Sequence, residues 1–333
     1  VSQNAQILIA WASSFNGIKD PLQLNWSDIL DFENWTVSSQ TQAGGYRLPT
    51  GSRIVGGFAA PNFNLIWTDL DVWGMNYIGP PLVFGFNVLG TNCGMLSRHG
   101  FAVLNSIVYW IGQHQIYALT GETVSPVPCP VWDFIFGDMD IDNTDKVCMG
   151  SNTLFNEIVI YFPSASGGTG ENDSYVKFNP VLNTWDFGRL DRSAWIDQSP
   201  VGHPIGASGA GYLYQHETSQ DADGQPMNSW FETGYFNIAE GDMLNFVDWL
   251  FPDFKYGYPG GDDGAVLQIS FDFGDYPNST PKTRGPYSVS NTTPYVNTRM
   301  RARFMSMRVE SDDLGSFWRI GAIKIRSNPD GKR

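Results

Sequence analysis

The chain is short of the residues that most often carry chemistry. Of 333 residues only three are cysteine (Cys93, Cys129, Cys148) and four are histidine (His99, His114, His203, His216). Three dispersed cysteines cannot make a disulfide framework, and each stands beside apolar or small residues, so buried free thiols in a reducing compartment are expected. No two histidines have the spacing of helix-borne metal ligands, and no cysteine pair has zinc-like spacing. A nucleophile elbow of the G-x-S-x-G type is missing, which removes that route to a serine triad. No apolar run approaches 18 residues, so no membrane-spanning helix is expected. The start, Val1-Ser2-Gln3-Asn4, lacks a basic signal-peptide region and an initiator Met; a processed chain or a segment of something longer is expected.

Positive charge is scarce too. Lys and Arg total 20 against 34 Asp and Glu, a net charge of −14, and charged residues are only 16% of the chain. Proteins that grip nucleic acid neutralise phosphates with clustered Lys and Arg, so gripping is not expected here. An acidic surface still suits a conduit past which DNA slides, or simply keeps the chain soluble.

What is present is turn formers and aromatics: 36 Gly, 20 Pro and 14% aromatic residues. That balance predicts an all-β chain. An aromatic strand signature recurs at Trp26, Trp67 and Trp110, with weaker echoes at Tyr161 and Tyr214, in steps of 41, 43, 51 and 53 residues. A strand repeat of roughly 40–50 residues marks propeller blades. Turn signals place a strand pair around Asn105-Ser106, and loops at Ser164 to Ser174 and Thr218 to Asn228. Pro130 and the apolar stretch Val131 to Met139 predict a short helix. Beyond Trp230 the strands lengthen, at Phe231 to Ile238, Met243 to Phe251, Ala265 to Phe273, Arg299 to Val309 and Phe317 to Ile325. The expected organisation is β-propeller-like blades over residues 1–228, a set that a longer N-terminus would complete if the chain is a segment, and an antiparallel β-sandwich-like module over 229–333.

Few motifs offer chemistry. Asp138, Asp140 and Asp142 alternate as in the opening of a calcium loop and are candidate cation ligands. Asn143 stands where an EF-hand has Gly, however, and the twelfth position is Met149, so an acidic turn is the competing reading. Asp262-Asp263-Gly264 reads as a turn. Gly206 to Gly211 is Gly-rich, but it lacks the Lys of a P-loop and precedes a strand-like segment; a tight turn is expected. Paired carboxylates of a glycosidase remain open among 34 acidic residues, although the S-x-D-x-G-x-T-W repeat of many sialidase propellers is absent. In Thr298 to Val309 the alternation sets Arg299, Arg301 and Arg303 on one face and Met300, Ala302 and Phe304 on the other. The arginines are candidate subunit-contact residues, with Trp73 and Tyr77 as candidate exposed aromatics; a solvated strand face is the plainer reading. No cofactor is called for.

Several runs resemble one family. They are Trp26-Ser27-Asp28, Phe32-Glu33-Asn34-Trp35-Thr36, Leu48 to Gly57, Gly90-Thr91-Asn92-Cys93-Gly94, Tyr109-Trp110-Ile111-Gly112 and Pro128 to Asp133. Toward the end come Met307 to Ser311, Trp318 to Ala322 and Asp330 to Arg333. From about residue 20 onward the chain resembles the tail hub or nozzle proteins of short-tailed bacteriophages. The resemblance rests on strand and turn signatures and carries no catalytic element. It implies a non-enzymatic virion protein, assembled in the host cytoplasm, whose propeller subunits form a hexameric ring below the portal and its adaptor proteins. Such a ring extends the DNA channel, helps retain the packaged genome without specific binding, and anchors tail fibres or tailspikes. The alternative is a carbohydrate-binding or carbohydrate-cleaving propeller that recognises a host surface.

Overall fold

The computed structural model describes residues 6–15, 17–60, 63–238, 241–257, 266–276 and 278–331. The Asp262-Asp263-Gly264 turn lies outside them. The chain is all-β, with one helical turn at Trp132–Ile135 and a 3-10 segment at Ile141–Lys146. No helix among the described residues is long and apolar enough to cross a membrane. The chain divides into two compact units, 1–216 and 217–333. The Thr218 to Asn228 stretch therefore belongs to the second unit, where Ala222 and Gln225 pair around Asp223 and Gly224, both at positive φ.

The first unit is a succession of small antiparallel sheets, each hydrogen-bonded in chain order. The first sheet contains Ile9–Trp11, Gln23–Trp26 and Gly44–Arg47. The second is a meander of Ile54–Ala59, Asn64–Thr68, Val72–Gly79 and Val83–Gly90. The third comprises Phe101–Leu104, Ile107–Ile111, Ile116–Thr120 and Thr123–Val127. The fourth has Cys148–Asn152, Glu157–Pro163, Asn172–Asn179 and Thr184–Arg189. The fifth, three-stranded, has Ala194–Ile196, Ile205–Ala207 and Leu213–Gln215.

The sequence repeat follows from this arrangement. Trp26, Trp67, Trp110 and Tyr161 all lie on the second strand of their sheets, and all are buried. Successive residues of a strand point to opposite faces. The second strands of the second, third and fourth sheets have neighbouring sheets against their faces and read as apolar runs, Leu65 to Trp67, Ile107 to Ile111 and Ile158 to Phe162, whereas Gln23–Trp26 alternates. Ile66 packs with Trp26, Trp73 and Phe84 toward the first sheet. Leu65 and Trp67 pack with Val108 and Trp110 toward the third. Tyr109 and Ile111 then meet Ile158, Ile160 and Phe162 of the fourth, and Tyr161 meets Trp195 of the fifth. Tyr214 is an exception: it lies on the third strand of its sheet, so the last step of the repeat lands one strand late.

Glycines make room for these rings. A side chain on Gly44 would strike the Trp26 ring across the strand pair, and one on Gly150 would strike Trp195 of the next sheet. At Asn105 and Ser106 both φ angles are positive, as a two-residue hairpin turn requires.

The second unit packs two sheets over one core. One sheet orders Ser229–Glu232, Phe304–Ser311, Leu267–Gly274 and Lys282–Val289, with Phe236–Asn237 also on Phe304–Ser311. The other orders Val296–Ala302, Asn245–Phe251 and Lys324–Pro329. Ile269, Phe271, Met305 and Val309 of the first share a cluster with Val247, Leu250, Met300 and Ala302 of the second. The unit is therefore sandwich-like.

Two expected elements are corrected. The Val131 to Met139 helix shrinks to one turn: its last bond runs from Gly137 N to Asp133 O (3.1 Å), glycine is a poor helix former, and the next residue, Asp138, is drawn to Ser166. The single strand from Arg299 to Val309 is two strands in different sheets. Arg303 is the crossing point: its N–H donates to Gly274 O (3.2 Å) and its carbonyl accepts from Ile238 N (2.8 Å).

Candidate functional site

In an antiparallel meander the second-to-third turn and the crossover to the next sheet leave at one end, here the loop end. The first-to-second and third-to-fourth turns leave at the other, the hairpin end. At the loop end of the second and third sheets, four segments enclose a cleft of about 450 Å³. They are the Asp69-Leu70 turn, the crossover around Asn92 and Gly94, the Gln113-His114-Gln115 turn, and Trp132 of the helical turn. Gly94 N donates to Leu70 O (2.8 Å) and Gly112 N to Gln115 O (2.8 Å). A side chain at Gly94 would overlap the Asp69 backbone, so the two turns are held in direct contact.

The cleft's side chains are set in two ways. Trp132, 42% exposed, donates its Nε1–H to His114 O (2.8 Å), and Tyr117 donates its hydroxyl to Asn92 O (3.0 Å). Asp69, the only acidic residue in the lining, is consumed locally by the Ser52 hydroxyl and by the backbone N–H groups of Ser52 and Arg53. Burial pushes its carboxyl up, but these hydrogen bonds outweigh burial and hold it below the usual aspartate value. Gln113, His114 and Gln115 are exposed and make no side-chain hydrogen bond among the described residues. Sequence reading missed this site; four loops separated by about 20 residues each leave no motif.

The candidate cation loop does not assemble. Asp138 accepts from Ser166 N (2.9 Å) and Ser166 Oγ (2.6 Å), with Arg189 Nη2 at 3.5 Å. The Ser166 hydroxyl is the largest cause holding this carboxyl low; burial opposes it, and the Ser166 N–H and the Arg189 charge add to the lowering. Asp140 caps the 3-10 segment, accepting from Asp142 N (3.1 Å) and Asn143 Nδ2 (2.8 Å). Among the described residues no group of three or more His, Cys, Asp or Glu is placed to hold a metal ion. The acidic run is a capped turn.

The three arginines do not share one face. Arg299 and Arg301 alternate with buried Met300 and Ala302 and point outward, but Arg303 sits at the crossing between sheets with its guanidinium 5.6 Å from the Tyr276 ring centre. Arg301 pairs with Asp330 at 2.5 Å, while Arg299 stays exposed. Beside them Arg326 lies 3.6 Å from the Trp249 ring centre and pairs with Asp248, and Trp249 stacks on Tyr295 at 4.8 Å. Trp73 is not an exposed aromatic: its second-sheet position turns it into the core, 5% exposed. Tyr77 is 38% exposed and donates to Gln42 Oε1 (2.8 Å).

The cysteines are all free, and burial pushes the Cys93 and Cys148 thiols to about 11 and 12. Neither is a thiolate nucleophile at neutral pH. No family model matches the chain, and no curated protein matches it. Among solved structures, one titled "Glycoside hydrolase" is similar at 8% identity, covering 97% of this chain and 95% of that one, with a TM-score of 0.31. A likeness that loose decides neither fold nor activity.

Proposed function

We propose that the chain is a structural protein of a short-tailed phage tail, a nozzle or hub ring below the portal and adaptor. The carrying observation is the hairpin end of the first unit. Ile78, Leu82, Leu154, Phe155, Val181 and Leu182 stand there, 48–70% exposed, on turns of the second and fourth sheets. Their turns are fixed, not floppy. Asn179 accepts from Val181 N and Leu182 N and donates to Phe155 O (3.0 Å). Thr153 N donates to Asp197 across to the fifth sheet (3.0 Å). A rigid end carrying this much apolar surface suits a permanent protein neighbour. The stacked sheets beneath it bury apolar side chains at every step, which suits a part that must bear load without moving. A net charge of −14 suits a channel past which DNA slides without sticking. Fibres or tailspikes would attach to the outer surface.

The test is genetic. Particles lacking this protein are expected to package DNA and then leak it; stable, infectious particles without it would overturn the proposal.

A further inference from the structure

We propose that the loop-end cleft between the second and third sheets is a binding site for a neutral saccharide. The inference is independent of the nozzle reading and stands on the cleft's own chemistry. Trp132, 42% exposed, has already used its Nε1–H on a backbone carbonyl, so what it offers a ligand is ring surface, while Tyr117, stacked on Trp110, lies beside it in the lining. A pyranose presents a flat C–H face that packs on such rings. Around them Gln113, Gln115 and His114 have no side-chain hydrogen bond among the described residues, and each glutamine amide offers both a donor and an acceptor. Paired donors and acceptors match the hydroxyls of a sugar, which also donate and accept.

The cleft also selects against other ligand classes. No Lys or Arg lines it, so a phosphate or carboxylate would meet no countercharge. Asp69 is its only carboxylate and is saturated by Ser52 and Arg53, so it offers a cation little. Hydrolysis of a glycosidic bond would need two carboxyl groups facing each other, and the lining has one. The site therefore binds and does not cleave. Its volume, about 450 Å³, falls within the roughly 300–1,000 Å³ of small-ligand sites. The Gly94 and Gly112 contacts hold its turns in place before a ligand arrives, which lowers the entropy lost on binding.

The test titrates the full chain with neutral malto-, cello-, chito- and manno-hexaoses, followed by saturation-transfer NMR and tryptophan fluorescence. At least one is expected to bind with a Kd on the order of 1 mM, the scale of a few stacking and hydrogen-bond contacts. Trp132→Ala is expected to weaken it at least ~10-fold, the loss of one stacking platform. The paired Gln113→Ala and Gln115→Ala change, on an exposed turn, is expected to do the same without touching the fold. Trp35→Ala, on another loop, is expected to leave binding unchanged. Absence of binding to all four sugars overturns the proposal, and so does binding that survives the glutamine changes.

Discussion

Trp67 and Trp110 lie ring to ring with centres 5.8 Å apart, both fully buried, and differ in one hydrogen bond. Trp110 donates Nε1–H to Cys93 O at 2.7 Å, whereas the Trp67 Nε1 is buried with no partner among the described residues. Replacing either by Phe removes similar ring volume. Trp110→Phe also strands the Cys93 carbonyl, while Trp67→Phe deletes an N–H that was never paired. Denaturant unfolding should therefore find Trp110→Phe less stable than Trp67→Phe by about 1–2 kcal/mol. A second residue-scale prediction concerns acid. Arg192, 7% exposed, donates Nε–H to His216 Nε2 at 2.8 Å and stacks on Tyr214 at 4.3 Å, so His216 must be neutral to accept. Burial, then the charges of Arg192 and Lys177, lower its pKa from 6.5 to about 4. Between those values the unfolded chain binds the extra proton, so His216 contributes stability above pH 6.5 that is lost as pH falls toward 4. His216→Gln keeps an acceptor but cannot titrate; its unfolding midpoint should fall less than the parent's between pH 6.5 and 4.5. Equal falls would refute the assignment.

At the scale of elements, sheet-to-sheet fit is the weak point. Gly150, on the first strand of the fourth sheet, lies directly beneath the Trp195 ring, whose Nε1–H donates to Ser151 O at 2.7 Å. Gly150→Ala should displace Trp195, cost about 1–3 kcal/mol by overpacking, and shift indole fluorescence toward the solvent-exposed range. An unchanged spectrum would mean that the fifth sheet docks some other way. The same interfaces explain what was legible in the sequence. Second strands such as Ile107–Ile111 are continuous apolar runs carrying a ring, so the repeat stood out. Outer strands such as Thr123–Val127 and Thr184–Arg189 bury little and carry no continuous apolar run. The break at Arg303 was hidden because period-two alternation runs into it from both strands and no Gly or Pro marks the crossing. Trp73 was misplaced since an aromatic on a strand does not reveal which face is covered. The cleft was illegible for another reason: its rings and amides come from loops that meet only once the sheets have stacked.

For the whole molecule, charge is unevenly shared. Residues 1–216 carry 8 Lys and Arg against 18 Asp and Glu, while 217–333 carry 12 against 16. Arg299 remains exposed on the three-stranded sheet of the second unit, and two neighbouring arginines are already paired, Arg301 with Asp330 and Arg326 with Asp248. Identical subunits assembling head to tail would bring unlike surfaces together, and a rotation that closes makes a ring. Under the two proposals the chain has three working surfaces: an apolar hairpin end for a protein neighbour, an acidic body for the DNA path, and a loop-end cleft for a saccharide. The most direct test of the proposed nozzle role is a cryo-EM reconstruction of purified short-tailed phage particles, searched for density of this chain. Six copies below the portal are expected, enclosing an axial channel, with Leu154, Phe155, Val181 and Leu182 covered by another protein. Density on a peripheral fibre, or an apolar end left facing solvent, would contradict that role.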